Sequence, residues 1–164
     1  MSLLNPTSHG EIFSIDAIGF YNDVVPTTQL NSSHAFCRFW QEFLAKLSAT
    51  GNSCDPFWDA MMKIYTGQTG FAGNLSEIGR FMTIFLRNPP NIVIADMQSL
   101  TKYGRHKRIP HLWGFIFISK YFVDLWVAAS AEDDITALGY EALLKATIVH
   151  ESAHWAQTLV SLSE

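Results

Sequence analysis

Thr147-Ile148-Val149-His150-Glu151-Ser152-Ala153-His154-Trp155 is the stretch on which the reading of the whole chain turns. Its centre has the spacing His-Glu-x-x-His. On a helix, residues i and i+4 share a face, so His150 and His154 can grip one metal ion, with zinc the best match to two imidazoles. Glu151 lies about 100° round the helix from His150, within reach of a water on that metal but not placed to ligate it. A carboxylate there can act as general base while the zinc acidifies the water. The plainer reading is two surface histidines flanking a glutamate on an amphipathic helix. The flanks favour the first. Leu138, Leu143, Leu144, Ile148, Val149, Trp155, Leu159 and Leu162 surround the motif. Residues 136–161 contain no Pro, and their one Gly, Gly139, falls near the start. One long helix is predicted, with Asp133, Asp134 or Thr136 at its N-terminus. Its apolar character suits the floor of a cleft more than a solvated face.

Working back from the motif, Tyr121, Phe122, Leu125 and Trp126 follow helical spacing within residues 119–133. Residues 112–118, with Phe115-Ile116-Phe117-Ile118, read as a strand, and so does Ile92-Val93-Ile94-Ala95. Between the strands lies Lys102-Tyr103-Gly104-Arg105-His106-Lys107-Arg108, which holds four of the chain's 11 basic residues. It reads as a solvated loop, or else as a rim that attracts an anionic substrate or partner. Residues 32–90 look helical. Ser32 or Ser33 should cap a first helix carrying Phe36, Phe39, Trp40, Phe43, Leu44 and Leu47, ended by Gly51. Asp55-Pro56 opens a second, with Phe57, Trp58, Met61, Ile64 and Tyr65 on one face and Gly67 at its end. Residues 67–74 form a loop, and 75–87 a third helix stopped by Asn88-Pro89-Pro90. The aromatic stripes on these helices are core. Residues 1–31 look irregular. The layout is α+β, in one domain spanning 1–164: an irregular segment (1–31), a helical part (32–90), and a small sheet beside the motif helix (91–164).

Composition agrees with a packed domain. Of 164 residues, 48% are hydrophobic and only 16% charged, well below the usual quarter. A net charge of −4 does not suggest nucleic-acid binding. Cys37 and Cys54 read as core thiols of a protein made in a reducing compartment. Residues 1–10 carry no basic and apolar pattern of a secretory signal. The apolar stretch 112–129 is short for a membrane span and contains Lys120 and Asp124, which argues against a membrane-active protein.

The strand Gly114-Phe115-Ile116-Phe117-Ile118, a linking segment, and the helix from Leu143 through His150-Glu151-Ser152-Ala153-His154-Trp155 resemble the zincin-like metallopeptidase toxin domains. Such domains occur in bacterial polymorphic toxins and in effectors of contact-dependent or type VI secretion. The resemblance covers roughly residues 90–160. It implies a zincin-like fold and a zinc peptidase, without a Sec signal, exported by a specialised secretion system into target cells. It also implies a cognate immunity protein in the producing cell, and a peptide, protein or peptidoglycan substrate.

A zincin needs a third protein ligand, usually downstream of the second histidine. Gln157 and Val160 stand where a metzincin would have Gly and His, so the chain is not a metzincin. Glu164 is the only acid after His154. On a straight helix it lies about 15 Å along the axis, so it ligates only if the chain turns back after about Val160. His111, His106 and Asp96 are upstream candidates. The ligand set is otherwise completed past residue 164, or by waters. A backbone donor, or a Tyr or His within 103–121, would steady an oxyanion. The competing function is a catalytically inactive zincin-fold binding module, or a truncated form.

Overall fold

Ile92-Val93-Ile94-Ala95 and Phe115-Ile116-Phe117-Ile118 are apolar at every position, a pattern stable only where a sheet is covered on both faces. The computed structural model, which describes residues 10–50, 60 and 82–161, shows that arrangement. Strands β1 (Ile12–Ile15), β2 (Thr28–Gln29), β3 (Asn91–Ala95), β4 (Gly104–His106) and β5 (Phe115–Ser119) form one sheet in the order β2-β1-β3-β5-β4. The central three are parallel, with Ile92 beside Ile116 and Val93 beside Phe117, and both edge strands are antiparallel. The helices are α1 (Ala17–Tyr21), α2 (Ala35–Thr50), α3 (Lys120–Ala131) and α4 (Thr136–Ser161). Residues 82–87 are also helical, and Pro110–Leu112 form a 3-10 turn. The fold is mixed α+β.

Alternation along the strands divides the core in two. Ile92, Ile94, Ile116 and Ile118 face the helices, where Phe36, Trp40, Phe85, Phe122, Trp126, Leu144, Ile148 and Trp155 are buried against them. Val93, Ala95 and Phe117 face the other way, onto Phe20 of α1, Met97 and Leu112. Each fully buried Ile or Phe contributes about 1.5–3 kcal/mol. Phe85 meets Trp155 edge-on at 5.9 Å, which ties the motif helix to the rest of the helical layer.

Several elements depart from the sequence reading. The segment expected to be irregular contains β1, α1 and β2. Ile12-Phe13-Ser14-Ile15 is too short to show alternation, and becomes a strand because β3 supplies its ladder partner. Asp16 then caps α1, its side chain accepting from the Gly19 N–H at 2.7 Å. Neither Ser32 nor Ser33 caps α2. The Ser33 hydroxyl binds Asn31 instead, and the His34 imidazole accepts from the Phe36 N–H at 3.1 Å. The strand expected over 112–118 begins only at Phe115, because Leu112 belongs to the 3-10 turn. The basic stretch 102–108 is not a plain loop. Its centre is β4, with His106 and Lys107 buried. Cys37 is a buried free thiol, as expected. Gly51, Cys54, the 55–67 helix apart from residue 60, the 67–74 loop and most of the 75–87 helix lie outside the described residues. No helix among the described residues is long and apolar enough to cross a membrane.

Candidate metal centre and cleft

Helix α4 starts after a tight reversal from α3. Asp133 takes a left-handed conformation (φ 54°), and the Asp134 carboxylate accepts from the Thr136 N–H at 3.0 Å. At 26 residues the helix is about 39 Å long, enough to cross the whole sheet. Its faces have distinct tasks. Leu144, Ile148, Trp155 and Ala156 enter the core, while Thr147, Glu151 and Thr158 face β4.

The two motif histidines converge. Their Nε2 atoms are 3.1 Å apart, with ring centroids at 4.8 Å and planes crossing at 76°. Two nitrogens held by one tetrahedral zinc at ordinary bond lengths stand about 3.3 Å apart, so the pair fits a shared ion with little adjustment. His150 is exposed and His154 half-buried. Burial lowers the His154 pKa, helped by the charges of His150 and Arg108, while a hydrogen bond with Gln157 opposes the shift. A neutral imidazole is the form that binds metal. Gln157 also accepts from Arg108 at 2.9 Å, so it links the ring to the basic segment.

Glu151 is only 6% exposed. Burial pushes its carboxyl up to about 7, against the pull of a hydrogen bond from the His106 backbone and the nearby charge of Arg105. The contact with β4 depends on Gly104. A Cβ there would sit 2.5 Å from Thr147 Cγ2 and 3.0 Å from both Glu151 Cγ and the Phe117 carbonyl oxygen. Thr147 cannot simply turn away, because its hydroxyl donates to the Leu143 carbonyl at 2.8 Å. Gly104→Ala is therefore expected to cost about 1–3 kcal/mol. Urea unfolding checks this; an unchanged midpoint would mean that β4 does not rest on α4.

The strand and helix enclose a cleft of about 750 Å³, lined by Phe20, Tyr21, Lys102, Arg105, Arg108, Glu151 and His154 among others. Tyr103 and Tyr121, considered as oxyanion donors, do not line it. The four upstream and downstream ligand candidates fall as follows. His106 is among the residues lining the cleft but is only 9% exposed, with Nδ1 3.1 Å from the Phe115 carbonyl and Nε2 2.9 Å from the Thr158 hydroxyl. Both its nitrogens are thus engaged inside the fold. His111 sits in the 3-10 turn with Nε2 2.8 Å from the Asp23 carbonyl. Asp96 accepts from the Gln98 N–H and lines a separate cavity of about 190 Å³ with Ser119 and Tyr121. Glu164 lies outside the described residues. Among the described residues, no group of three His, Cys, Asp or Glu side chains is gathered to hold a metal.

The place of Gln157 beside His154 was not read from the sequence, and Arg105 was read only as one charge of the 102–108 rim. Gln157 had a signal, since position i+3 from His154 lies on the same helix face. The position of Arg105 on an edge strand had none, because nothing in a run of charges marks its middle as a strand. No protein-family model, curated protein or solved structure matches this chain.

Proposed function

We propose that the chain is a zincin-like, zinc-dependent peptidase or amidase. The observation that carries this reading is the convergence of the His150 and His154 Nε2 atoms, 3.1 Å apart, beside a buried Glu151 in the cleft. His150 and His154 would hold the metal. Zinc, when bound, supplies Lewis-acid chemistry, acidifying water and polarising a carbonyl. Glu151 takes the proton of the attacking water and passes it to the leaving nitrogen. A carboxyl at about 7 is matched to that task at neutral pH. Gln157 holds the His154 ring in place.

The edge strand supplies a seat for an extended substrate. The Tyr103 carbonyl accepts from the Ser119 N–H at 2.8 Å. Antiparallel alternation then turns Arg105 toward Phe117 and directs the backbone groups of Gly104 and His106 outward. The His106 N–H is already donated to Glu151, so a peptide seated at this edge would use the Gly104 groups and the His106 carbonyl, beside the proposed base. The resemblance of the motif helix and its preceding strand to metallopeptidase toxin domains supports an exported antibacterial toxin. On that reading the substrate is a cell-wall peptide or a protein, and an immunity protein is the partner.

A second reading, a zincin-like binding module without hydrolysis, is favoured by the engagement of both His106 ring nitrogens and of His111 Nε2 within the fold. Metal content separates the first step of the two. About one zinc per chain is expected by elemental analysis of the purified protein, falling to a tenth or less in the His150→Ala/His154→Ala double variant. Stoichiometric zinc in the double variant would sink the metal assignment.

A further inference from the structure

We propose that the cleft beside the histidine pair captures acidic peptides, with Lys102, Arg105 and Arg108 receiving carboxylate side chains of a chain laid along β4. The inference deepens the peptidase reading and rests on it for the place where the peptide lies. The protein as a whole carries a net charge of −4. The cleft runs the other way, with four cations, Lys102, Arg105, Lys107 and Arg108, against two carboxylates, Asp23 and Glu151.

Lys107 and Asp23 account for each other. The Lys107 ammonium is 9% exposed, lies 2.7 Å from the Asp23 carboxylate and 4.0 Å from the Phe20 ring centre, and donates to the Phe20 carbonyl. It fastens β4 to α1. The other three cations are exposed, and none has a carboxylate within ion-pair distance among the described residues. Arg108 is held by Gln157, itself bonded to His154, so its guanidinium is fixed relative to the proposed metal pair. Arg105 projects from the edge strand itself, and Lys102 stands 5.9 Å from the Tyr21 ring. A positive cleft in a negative protein focuses the local field and draws anionic chains to one place. The outward Gly104 groups and His106 carbonyl of β4 suit a peptide backbone rather than a nucleic-acid backbone, the His106 N–H being held by Glu151.

The test is binding of two fluorescein-labelled ten-residue peptides to the full-length chain carrying Glu151→Gln, with three Glu or three Lys in a common Gly/Ala/Ser background. The Glu peptide is expected to bind about tenfold tighter at 50 mM salt, with the preference shrinking at 500 mM. Arg105→Glu or Arg108→Glu should each remove most of the preference, while Lys120→Glu, outside the cleft, should leave it intact. Two charge reversals guard against one failing to fold. Equal, reversed or absent binding of the Glu peptide overturns the proposal, as does tighter binding of a ten-nucleotide single-stranded RNA. Incubating the same peptides with unsubstituted protein tests the hydrolase reading separately. Acid-selective binding without cleavage removes the peptidase and keeps the acidic-peptide cleft; cleavage without charge preference does the reverse.

Discussion

Glutamine in place of Glu151 is expected to lower hydrolysis about 10²–10⁴-fold while zinc content stays at the unsubstituted level. The amide keeps the shape of the side chain and can still accept from the His106 N–H, but it cannot take a proton. A purely structural glutamate would give the opposite pattern, with activity intact and packing disturbed. The same variant has a readout that does not depend on activity. The Glu151 carboxyl, about 7 in the fold against an ordinary 4.5, prefers to be neutral there. The unfolded chain ionises first, so stability is lost as pH rises from about 4.5 through about 7. The full loss is about 3 kcal/mol for a group this deeply buried. Glutamine carries no charge to bury. In chelator-treated protein at pH 8, Glu151→Gln should therefore melt higher than the unsubstituted chain. A buried residue that weakens its own fold at working pH is held there by something other than stability. A lower melting point for the glutamine variant would remove that argument.

The parts of this molecule that could be read in advance are those whose signal is local and long. Helix α4 was legible because its apolar period, its lack of Pro and the Asp134 cap all lie within one segment, and the observed span, Thr136–Ser161, follows from them. The i, i+4 spacing gave the meeting of His150 and His154 for the same reason. Strands β3 and β5 were legible as apolar runs, though their parallel pairing was not, since register is a property of two segments far apart. What escaped is whatever depends on a distant partner. Strand β1 is four residues long and is a strand only beside β3. Strand β4 lies in a run of charges that reads as solvent-facing, yet Gly104 lets it settle on α4 while Lys107 turns inward to Asp23. His34 displaced two serines as the cap of α2 by a ring nitrogen no propensity scale credits. At the site, the same limit applies to the third ligand. His106 and His111 were equal candidates as letters, and only the fold shows their nitrogens turned to Phe115, Thr158 and Asp23.

His106 gives the other large effect, and its sign is opposite to that of Glu151. The ring is buried, and burial pushes its pKa down to about 4 from 6.5, with the Phe115 hydrogen bond working against the shift and the charges of His154 and Arg108 adding to it. A neutral ring that donates from Nδ1 to the Phe115 carbonyl must accept at Nε2, where the one proton of the Thr158 hydroxyl is shared with the His154 carbonyl. Protonation places a charge in the core. Because the folded pKa lies below the unfolded one, the unfolded chain takes up the proton first. The stabilisation is complete above about pH 6.5 and is lost as pH falls toward about 4, below which no further loss follows. Over that window the loss is about 3 kcal/mol. Other groups titrate across the same range, so the measurement is a difference. His106→Asn keeps a donor for the Phe115 carbonyl and has nothing to protonate. Both proteins would be unfolded by urea in chelator at pH 7.5, 5.5 and 4.2. The variant is expected to be the less stable at pH 7.5, since it removes the His106–Thr158 hydrogen bond and leaves a small void, while the Thr158 hydroxyl keeps its bond to the His154 carbonyl. Its deficit should shrink by about 3 kcal/mol on going to pH 4.2. A deficit that stays constant with pH would show that the ring is already solvated or charged in the fold. In that case His106 would be free to turn toward His150 and His154, and would return as the leading candidate for the missing ligand.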